Sequence, residues 1–326
     1  MKVAGLYTRI KRAARDTGHR LGMRPSFSTS GGSTRILVFH GLCPVDCFRY
    51  NTLFITPETF ETQLQLYKKH FNIVSLDDLY NERFNKDRFT ICLSFDDGFA
   101  NNHKYVLPLL EKYKVPAAFF VTGIRDAGYD VLWNDVLSIA SLHGPDAFEF
   151  RNELFTKDAA RKYRSVISKQ RLAEILRSAD FETKAAMINI LGGHRYKADE
   201  DHWLQMSAEQ IAALSASKWA SIGSHSYHHN DLARMDRILL REDLQRSKRY
   251  LENITGKEVK ALAFPYGSYS PEVIEEAKRA GYTQLLATES LHTGDEKEIL
   301  LRKRLTINPF ISPLNQLYAS ISGNYR

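Results

Sequence analysis

The chain has 326 residues, enough to bury a sizeable core as one large α/β domain or two smaller ones. With 43% hydrophobic and 25% charged residues, and no apolar stretch near the roughly 18 to 20 residues that cross a bilayer, its composition is that of a globular protein without a transmembrane helix. The formal net charge is +7, but residues 1–24 carry +6 of it, and the nearly neutral remainder disfavours a nucleic-acid-binding domain, which needs clustered basic residues.

Residues 1–34 are predicted to form a basic amphipathic arm and a linker. Apolar residues recur at helical spacing beside a basic face, a pattern that suits contact of residues 1–24 with an anionic membrane surface. These apolar residues are Val3, Leu6, Tyr7, Ile10, Ala13 and Ala14. A solvated helix that packs on its own domain is the equal alternative. Because no apolar core of a secretory signal follows the basic residues, we expect a cytoplasmic protein, peripheral at the membrane if the arm binds it.

From residue 35 the chain alternates between short apolar runs and amphipathic helices. The predicted strands are RILVFH, FTICLSF, PAAFFVTG, KWASIGSH, VKALAFPYG and TQLLAT. The predicted helices are TPETFETQLQLYKKHF, YVLPLLEKYK, SAEQIAALSAS, REDLQRSKRYLEN and SPEVIEEAKRAGY. Thr56 is a typical N-cap for the first helix, and Ser207 with Gln210 forms a capping box for the third. Strands that alternate with helices indicate a parallel sheet or barrel.

The alternation is interrupted in the middle of the chain. Between about residues 125 and 206, the mostly helical, charged segments are predicted to form an insertion. The main domain is therefore assigned to residues 35–310 with this insertion inside it. Residues 311–326 are assigned to a C-terminal tail.

Polar residues follow several predicted strands at the point where each strand ends. They are His40, the pair Asp96 and Asp97, His225, and the dipeptide Pro265-Tyr266. In parallel barrels, the carboxyl ends of the strands converge on one face, and active sites are built there. Packing alone does not explain four separate strands that deliver such residues to one rim, so the sequence predicts a site on this face.

His225 and His229 are four residues apart and could bind one metal ion if the segment between them turns helically. A carboxylate from the DDG sequence would complete a set of three ligands and leave positions open for water and substrate. The second carboxylate would then be free to act as a base. Taken singly, a histidine pair is more often surface and DDG is often a turn. Their joint occurrence at strand ends favours a functional site.

With these residues in view, LSFDDG and HSYHH resemble the first and second motifs of the polysaccharide deacetylase family, the carbohydrate esterases with a NodB-homology domain. The resemblance runs from about residue 35 to 306, apart from the insertion, and is closest to the exopolysaccharide deacetylase branch. It implies a distorted (β/α)7 barrel with a helical insertion. It also implies a divalent metal cofactor, with Zn²⁺ as the first candidate, and the removal of an N- or O-acetyl group from a sugar of a polysaccharide or lipid-linked glycan.

Residue by residue, the resemblance assigns Asp96 as the general base and Asp97, His225 and His229 as metal ligands. The oxyanion would be held by the metal and by a backbone N–H near Tyr266, in the stretch AFPYG that contains Pro265. His40 is the candidate general acid, since the histidine that lies in a C-terminal motif in much of the family is expected on the first strand here. A satisfied core histidine is the alternative for His40.

The chain also departs from the family pattern. Where the third motif usually carries an arginine that orients the base, this chain has Ala263, so Arg302 or Arg304 in LLRKRL becomes the expected partner of Asp96. Trp133 and Asp135 in LWNDVL are candidates for the wall of the cleft, with packing and surface roles as the alternative. A glycan-binding pseudoenzyme with the same fold is the competing function, and Ala263 is its only support.

Overall fold

Seven parallel strands close into a barrel in the computed structural model, which describes residues 2–23 and 32–325. The strands in chain order are β1 (Thr34–Phe39), β2 (Asn72–Ile73), β3 (Thr90–Phe95), β4 (Ala117–Val121), β5 (Ala147–Phe150), β6 (Glu153–Lys157), β7 (Tyr163–Ser165), β8 (Ala220–Ser224), β9 (Ala261–Ala263), β10 (Gln284–Ala287) and β11 (Leu301–Thr306). The barrel runs β1, β3, β4, β8, β9, β10, β11 and closes back on β1, while β2 pairs with the first residues of β3. The predicted distorted (β/α)7 barrel is confirmed.

Helices surround this barrel. In chain order they are α1 (Lys2–Arg20), α2 (Pro57–His70), α3 (Leu76–Tyr80), α4 (Leu107–Tyr113), α5 (Trp133–His143), α6 (Leu172–Arg177), α7 (Phe181–Leu191), α8 (Ala208–Ala216), α9 (Arg237–Thr255), α10 (Pro271–Arg279) and α11 (Pro313–Ser322). Two predicted helix starts are confirmed in detail: the Thr56 hydroxyl accepts from the Thr59 N–H, and Ser207 and Gln210 form the capping box of α8.

The barrel interior explains why the strands read as apolar runs. All six residues of β3 are buried, as expected for a strand enclosed on both faces. Phe39, Phe95 and Phe119, from three adjacent strands, stack with ring centroids 5.1 Å apart in each pair. This aromatic row lies directly before the turn at Asp96 and fixes the end of β3 from which that turn departs.

The segment between β4 and α8 contains more than the predicted helices. Besides α5, α6 and α7, it holds an antiparallel sheet in the order β5, β6, β7. These strands are short and mix exposed with buried residues, so no apolar run marked them in the sequence. The segment has its own buried cluster, which includes Val136, Ile139, Phe155, Leu172 and Met187.

Both chain ends are helical and meet on the outside of the barrel. The carboxylate of Asp16 in α1 accepts hydrogen bonds from Ser312 and Asn315, at the start of α11. Residues 311–325 of the segment assigned to a tail therefore hold a helix, and its Leu314 and Leu317 are buried. Residues 24–31, most of the predicted linker, lie outside the described residues. None of the helices in the described ranges combines the length and the apolarity required to cross a membrane.

Candidate active site

Asp96 and Asp97 occupy a tight turn at the carboxyl end of β3, and both side chains are buried. The backbone of Asp97 is left-handed, with φ of 73°, and that of Gly98 follows with φ of 79°. A Cβ atom on Gly98 would lie 3.0 Å from a methyl group of Val121, so the turn needs glycine for its space as well as its backbone angle. Because of this turn, the two adjacent carboxylates point to different partners: Asp96 to Arg304, and Asp97 to His225 and His229.

An arginine that is distant in the sequence holds Asp96 by two hydrogen bonds. The two terminal nitrogens of Arg304, in β11, donate to the two carboxylate oxygens of Asp96 at 2.7 and 2.8 Å, and both side chains are buried. Burial alone would raise the pKa of Asp96, but the charges of Arg304 and His225 outweigh it and hold the pKa below its ordinary value. Asp96 is therefore a fixed, ionised carboxylate.

The other expected partner, Arg302, is exposed, and its guanidinium lies 5.5 Å from the ring centre of Tyr80. Of the two expected alternatives, the structure thus places Arg304 on Asp96. Ala263, which stands where the family pattern has an arginine, contributes its main chain instead: its carbonyl accepts a hydrogen bond from His225 Nδ1 at 2.8 Å.

Asp97 faces the two histidines. Its Oδ1 lies 3.4 Å from His225 Nε2 and 3.3 Å from His229 Nε2, and one ligand atom of each residue lies within 4.8 Å of the others. All three side chains are buried. A carboxylate oxygen with two imidazole nitrogens is a donor set that suits Zn²⁺ or a similar divalent transition metal.

The spacing of His225 and His229 would allow one shared metal ion if the segment between them turned helically, but this segment is not helical. Ser226 and His229 both have left-handed backbones, with φ of 63° and 53°. Asp243 in α9 stabilises this loop from the side opposite Asp97. Its carboxylate accepts hydrogen bonds from the backbone N–H groups of Tyr227 and His228. The spacing of four residues therefore brings the two rings together through turns that the sequence pattern did not show.

Each histidine has its second ring nitrogen occupied. Because a carbonyl can only accept, the bond to Ala263 places a hydrogen on His225 Nδ1 and leaves Nε2 directed at Asp97. His229 Nδ1 lies 3.1 Å from the Tyr266 hydroxyl, which also receives the indole N–H of Trp133 at 3.0 Å. Orienting partners of this kind are what metal-binding histidines have, so the residues present fit a metal.

The two imidazoles differ in their electrostatics although they share Asp97. Burial lowers the pKa of His225, but the charge of Asp96 and the bond to Asp97 reverse this, and the pKa rises. For His229, burial prevails over Asp97, with Lys184 adding to it, and the pKa falls. The difference follows from Asp96, which lies near His225. The pKa of Asp97 is held well below its ordinary value because hydrogen bonds from both rings, and the charge of His40, outweigh its burial.

His40 lies at the end of β1, half-buried, and its charge acts on both Asp96 and Asp97. Its Nδ1 atom is buried and has no hydrogen-bond partner among the described residues. A satisfied core histidine would have this atom paired. One ring nitrogen of His40 is therefore not used by the described part of the fold.

Trp133 and Asp135 belong to the same neighbourhood, since Trp133 holds the Tyr266 hydroxyl that contacts His229. Asp135 is buried, and one of its oxygens has no partner in the described part of the chain. Burial and the charge of Asp97 raise the pKa of Asp135 well above its ordinary value. Pro265 is also buried and opens the short 3₁₀ turn Pro265–Gly267 that presents Tyr266.

Sequence reasoning missed Lys184, on α7. This lysine is fully buried, donates to the side chain of Asn230 at 2.6 Å, and has its pKa lowered to about 8 by burial. Asn230 directly follows His229, so Lys184 supports the same segment from the inserted helices. Nothing in the pattern of FETKAAMINIL distinguishes this lysine from a solvated one.

Comparison with known proteins agrees with this geometry. The sequence model of the polysaccharide deacetylase family matches residues 84–146 and 170–285, which together make up more than half of the chain. The matched residues include Asp96, Asp97, His225 and His229. The gap between the two matched stretches contains β5, β6 and β7.

Two curated relatives come from Bacillus subtilis (strain 168). The uncharacterized protein YlxY is 32% identical over 94 residues, 28% of this chain and 29% of its own length. The putative polysaccharide deacetylase YxkH is 21% identical over 138 residues, 42% of this chain and 46% of its own length. In both cases the match spans less than half of the relative.

Solved structures show the same fold along most of the chain. The Streptococcus pyogenes deacetylase PplD, in complex with acetate, has a TM-score of 0.56 at 17% identity, with 90% of this chain and 99% of PplD covered. IcaB from Ammonifex degensii has a TM-score of 0.54 at 18% identity, with 89% of this chain and 98% of IcaB covered. At such identities the likeness concerns the fold alone.

Proposed function

The chain belongs to the polysaccharide deacetylase family, and we propose that it hydrolyses acetyl groups from an acetylated sugar of a polysaccharide or lipid-linked glycan. One observation carries the proposal. At one end of the barrel, Asp97 faces His225 and His229, and the adjacent carboxylate of Asp96 is held in place by Arg304. This arrangement supplies a place for a metal and, next to it, an oriented base.

Asp97 Oδ1 and the Nε2 atoms of His225 and His229 would hold a divalent ion, for which Zn²⁺ is the first candidate. When bound, such an ion polarises a carbonyl oxygen and lowers the pKa of a water molecule to near neutrality. The buried, ionised Asp97 and the occupied Nδ1 atoms of both histidines support this assignment.

Asp96 is the proposed general base. It takes a proton from the water whose oxygen forms the new bond to the acetyl carbon. Arg304 keeps the carboxylate anionic and in one orientation, so that its free lone pairs meet the water. A backbone N–H near Tyr266, in the turn that Pro265 opens, is the proposed donor to the oxyanion.

His40 is the proposed general acid. When the bond between the acetyl carbon and the sugar nitrogen breaks, the electron pair stays on nitrogen and His40 donates the proton that makes the leaving group an amine. Acetate and the deacetylated sugar are the products. Trp133 and Asp135 would line the cleft from α5, where the unpaired oxygen of Asp135 is available to a polar group of the sugar.

The test is acetate release from a panel of N- and O-acetylated oligosaccharides, run beside an activated phenyl acetate and with metal content measured on the same samples. We expect one divalent ion per chain and acetate release from at least one oligosaccharide. Binding of an oligosaccharide without acetate release from any substrate would replace the proposal by the glycan-binding pseudoenzyme.

A further inference from the structure

The loops beside the candidate active site expose large apolar side chains. The loop that follows β1 exposes Val45, Phe48 and Leu53, and the loop that follows β11 exposes Phe310; we call these four residues the apolar rim. Val45 and Phe310 are 68% and 65% exposed. Exposed apolar surface of this kind commonly marks a surface that meets a partner or a membrane.

The two loops of the apolar rim meet at Phe48 and Phe310. β1 and β11 are paired neighbours in the barrel, and the rings of Phe48 and Phe310 lie 4.9 Å apart across their two loops. His40 directly follows β1, and Arg304 lies in β11. The rim therefore borders the end of the barrel where the substrate would enter.

The α1 helix is attached next to this rim. Asp16 of α1 accepts from the hydroxyl of Ser312, two residues after Phe310, and Arg15 lies over the ring of Tyr318 in α11. With Asp16 and Arg15 used for docking, α1 still exposes basic and apolar side chains. These exposed residues are Arg9, Ile10, Lys11, Arg20, Leu21 and Met23.

Two kinds of partner could cover such a surface: a lipid bilayer or a glycan chain. The exposed arginines and lysine of α1 complement anionic lipid headgroups, whereas a neutral acetylated glycan gives them no counter-charge. Val45 and Leu53 are aliphatic and offer no flat face for a sugar ring, but they insert readily into the boundary between headgroups and acyl chains. The observations favour the bilayer.

We propose that the apolar rim and the exposed basic residues of α1 bind an anionic membrane surface. The opening of the barrel is then held at the membrane, so that the acetylated glycan it receives is one linked to a lipid or lying on the bilayer. The substrate part of this inference rests on the proposed deacetylase function, whereas the membrane part does not.

Co-sedimentation of the full chain with vesicles tests the proposal. We expect binding to vesicles of phosphatidylcholine with phosphatidylglycerol, little binding to phosphatidylcholine alone, and release as salt rises. The variant Phe48→Ser/Phe310→Ser should partition roughly tenfold more weakly, because its rings no longer enter the acyl region. Replacing Arg9, Lys11 and Arg20 with glutamine should remove the preference for the anionic vesicles.

Ile299→Ser is the matched control for the rim variant. Ile299 is 77% exposed and precedes β11 at the opposite end of the barrel, so its replacement should leave vesicle binding unchanged. Wild-type partition of the rim variant would overturn the proposal. So would unchanged vesicle binding with weakened binding of a soluble acetylated oligosaccharide, since the rim would then be a glycan subsite. A chain that binds vesicles but releases no acetate from any substrate would overturn the proposed function and leave the membrane inference standing.

Discussion

The segment from His225 to His229 has an inner and an outer side, and histidine contacts aspartate on both. The role of the aspartate differs between the two sides. On the inner side, the partners of the Asp97 side chain among the described residues are the rings of His225 and His229. On the outer side, the Asp243 carboxylate accepts from two backbone N–H groups and from the His228 ring, which stacks on Phe181 with centroids 4.2 Å apart.

The two aspartates differ in the groups that donate hydrogen bonds to their carboxylate oxygens. The oxygens of Asp243 are occupied by main-chain donors, so this aspartate holds the loop in its shape and has little capacity left for a ligand. Among the residues that the structure describes, Asp97 contacts only ring nitrogens, and the other nitrogen of each ring is occupied, so one oxygen and two nitrogens converge on one point. A histidine next to an aspartate thus holds the loop in shape on one side of this segment and forms a candidate metal site on the other.

The largest expected effect comes from removing one inner ligand. Losing an orienting partner typically lowers metal affinity about 10- to 100-fold. His229→Ala removes a ligand itself, so metal affinity should fall by more than this, and acetate release should fall with it. Metal analysis after dialysis and an acetate assay measure this. His228→Ala is the matched control, one residue away and on the outer side, and should keep both metal and turnover. Equal losses in the two variants would abolish the distinction between the sides.

The next effect separates the adjacent carboxylates. Asp96→Asn should retain metal and lose turnover by roughly 10²- to 10⁴-fold, the range for a missing general base. Asp97→Asn should lose metal first, because it removes a ligand. If both variants bind metal like the wild type and fail equally in the acetate assay, the assignment of roles is wrong.

A smaller loss of metal affinity is expected when the orienting partner of His229 is removed. Tyr266→Phe removes the hydroxyl that contacts His229 Nδ1 and Trp133 while keeping the ring. Metal affinity should fall about 10- to 100-fold, with turnover of the metal-saturated variant largely retained. Competition with a chelator measures the affinity. Unchanged affinity would show that the hydroxyl does not orient the ring.

The smallest predicted effect is a shift of pH dependence. Arg304→Gln removes the charge that opposes the burial of Asp96, so the pKa of Asp96 should rise. Because a general base must be deprotonated, the acidic limb of kcat/KM should move to higher pH. Losing a buried partner costs about 3–5 kcal/mol of stability, so circular dichroism must first show that the variant is folded. The exposed Arg302→Gln is the control, and an acidic limb that stays in place in both variants would contradict the account.

How far the sequence predicts this molecule varies from strand to strand. β3 and its aspartates could be predicted because a buried parallel strand reads as a continuous apolar run that ends in the DDG turn. β11 escaped prediction because Arg302, Lys303 and Arg304 interrupt its apolar pattern. That strand nevertheless holds the partner of Asp96, a contact between residues 208 positions apart that no local pattern encodes.

The same limit applies inside the site. The spacing of His225 and His229 indicated that both could bind one metal ion. The left-handed backbone of Ser226 and His229, which brings the rings together, has no reliable sequence signal. Lys184 and the three short strands of the insertion depend on tertiary packing as well. Types of residue and their place at strand ends were predictable. Of the orienting partners, only Arg304 was expected, as one of two alternatives offered by the family resemblance.

The most direct test of the proposed catalytic metal site is a metal titration of the wild-type chain during turnover. A chelator-stripped sample should release no acetate from an acetylated oligosaccharide that the untreated protein hydrolyses. Turnover should return in proportion to added Zn²⁺ and level off at one ion per chain, while Asp97→Asn treated in the same way should not recover. A stripped wild-type sample that keeps full turnover would contradict the assignment of Asp97, His225 and His229 as a catalytic metal site.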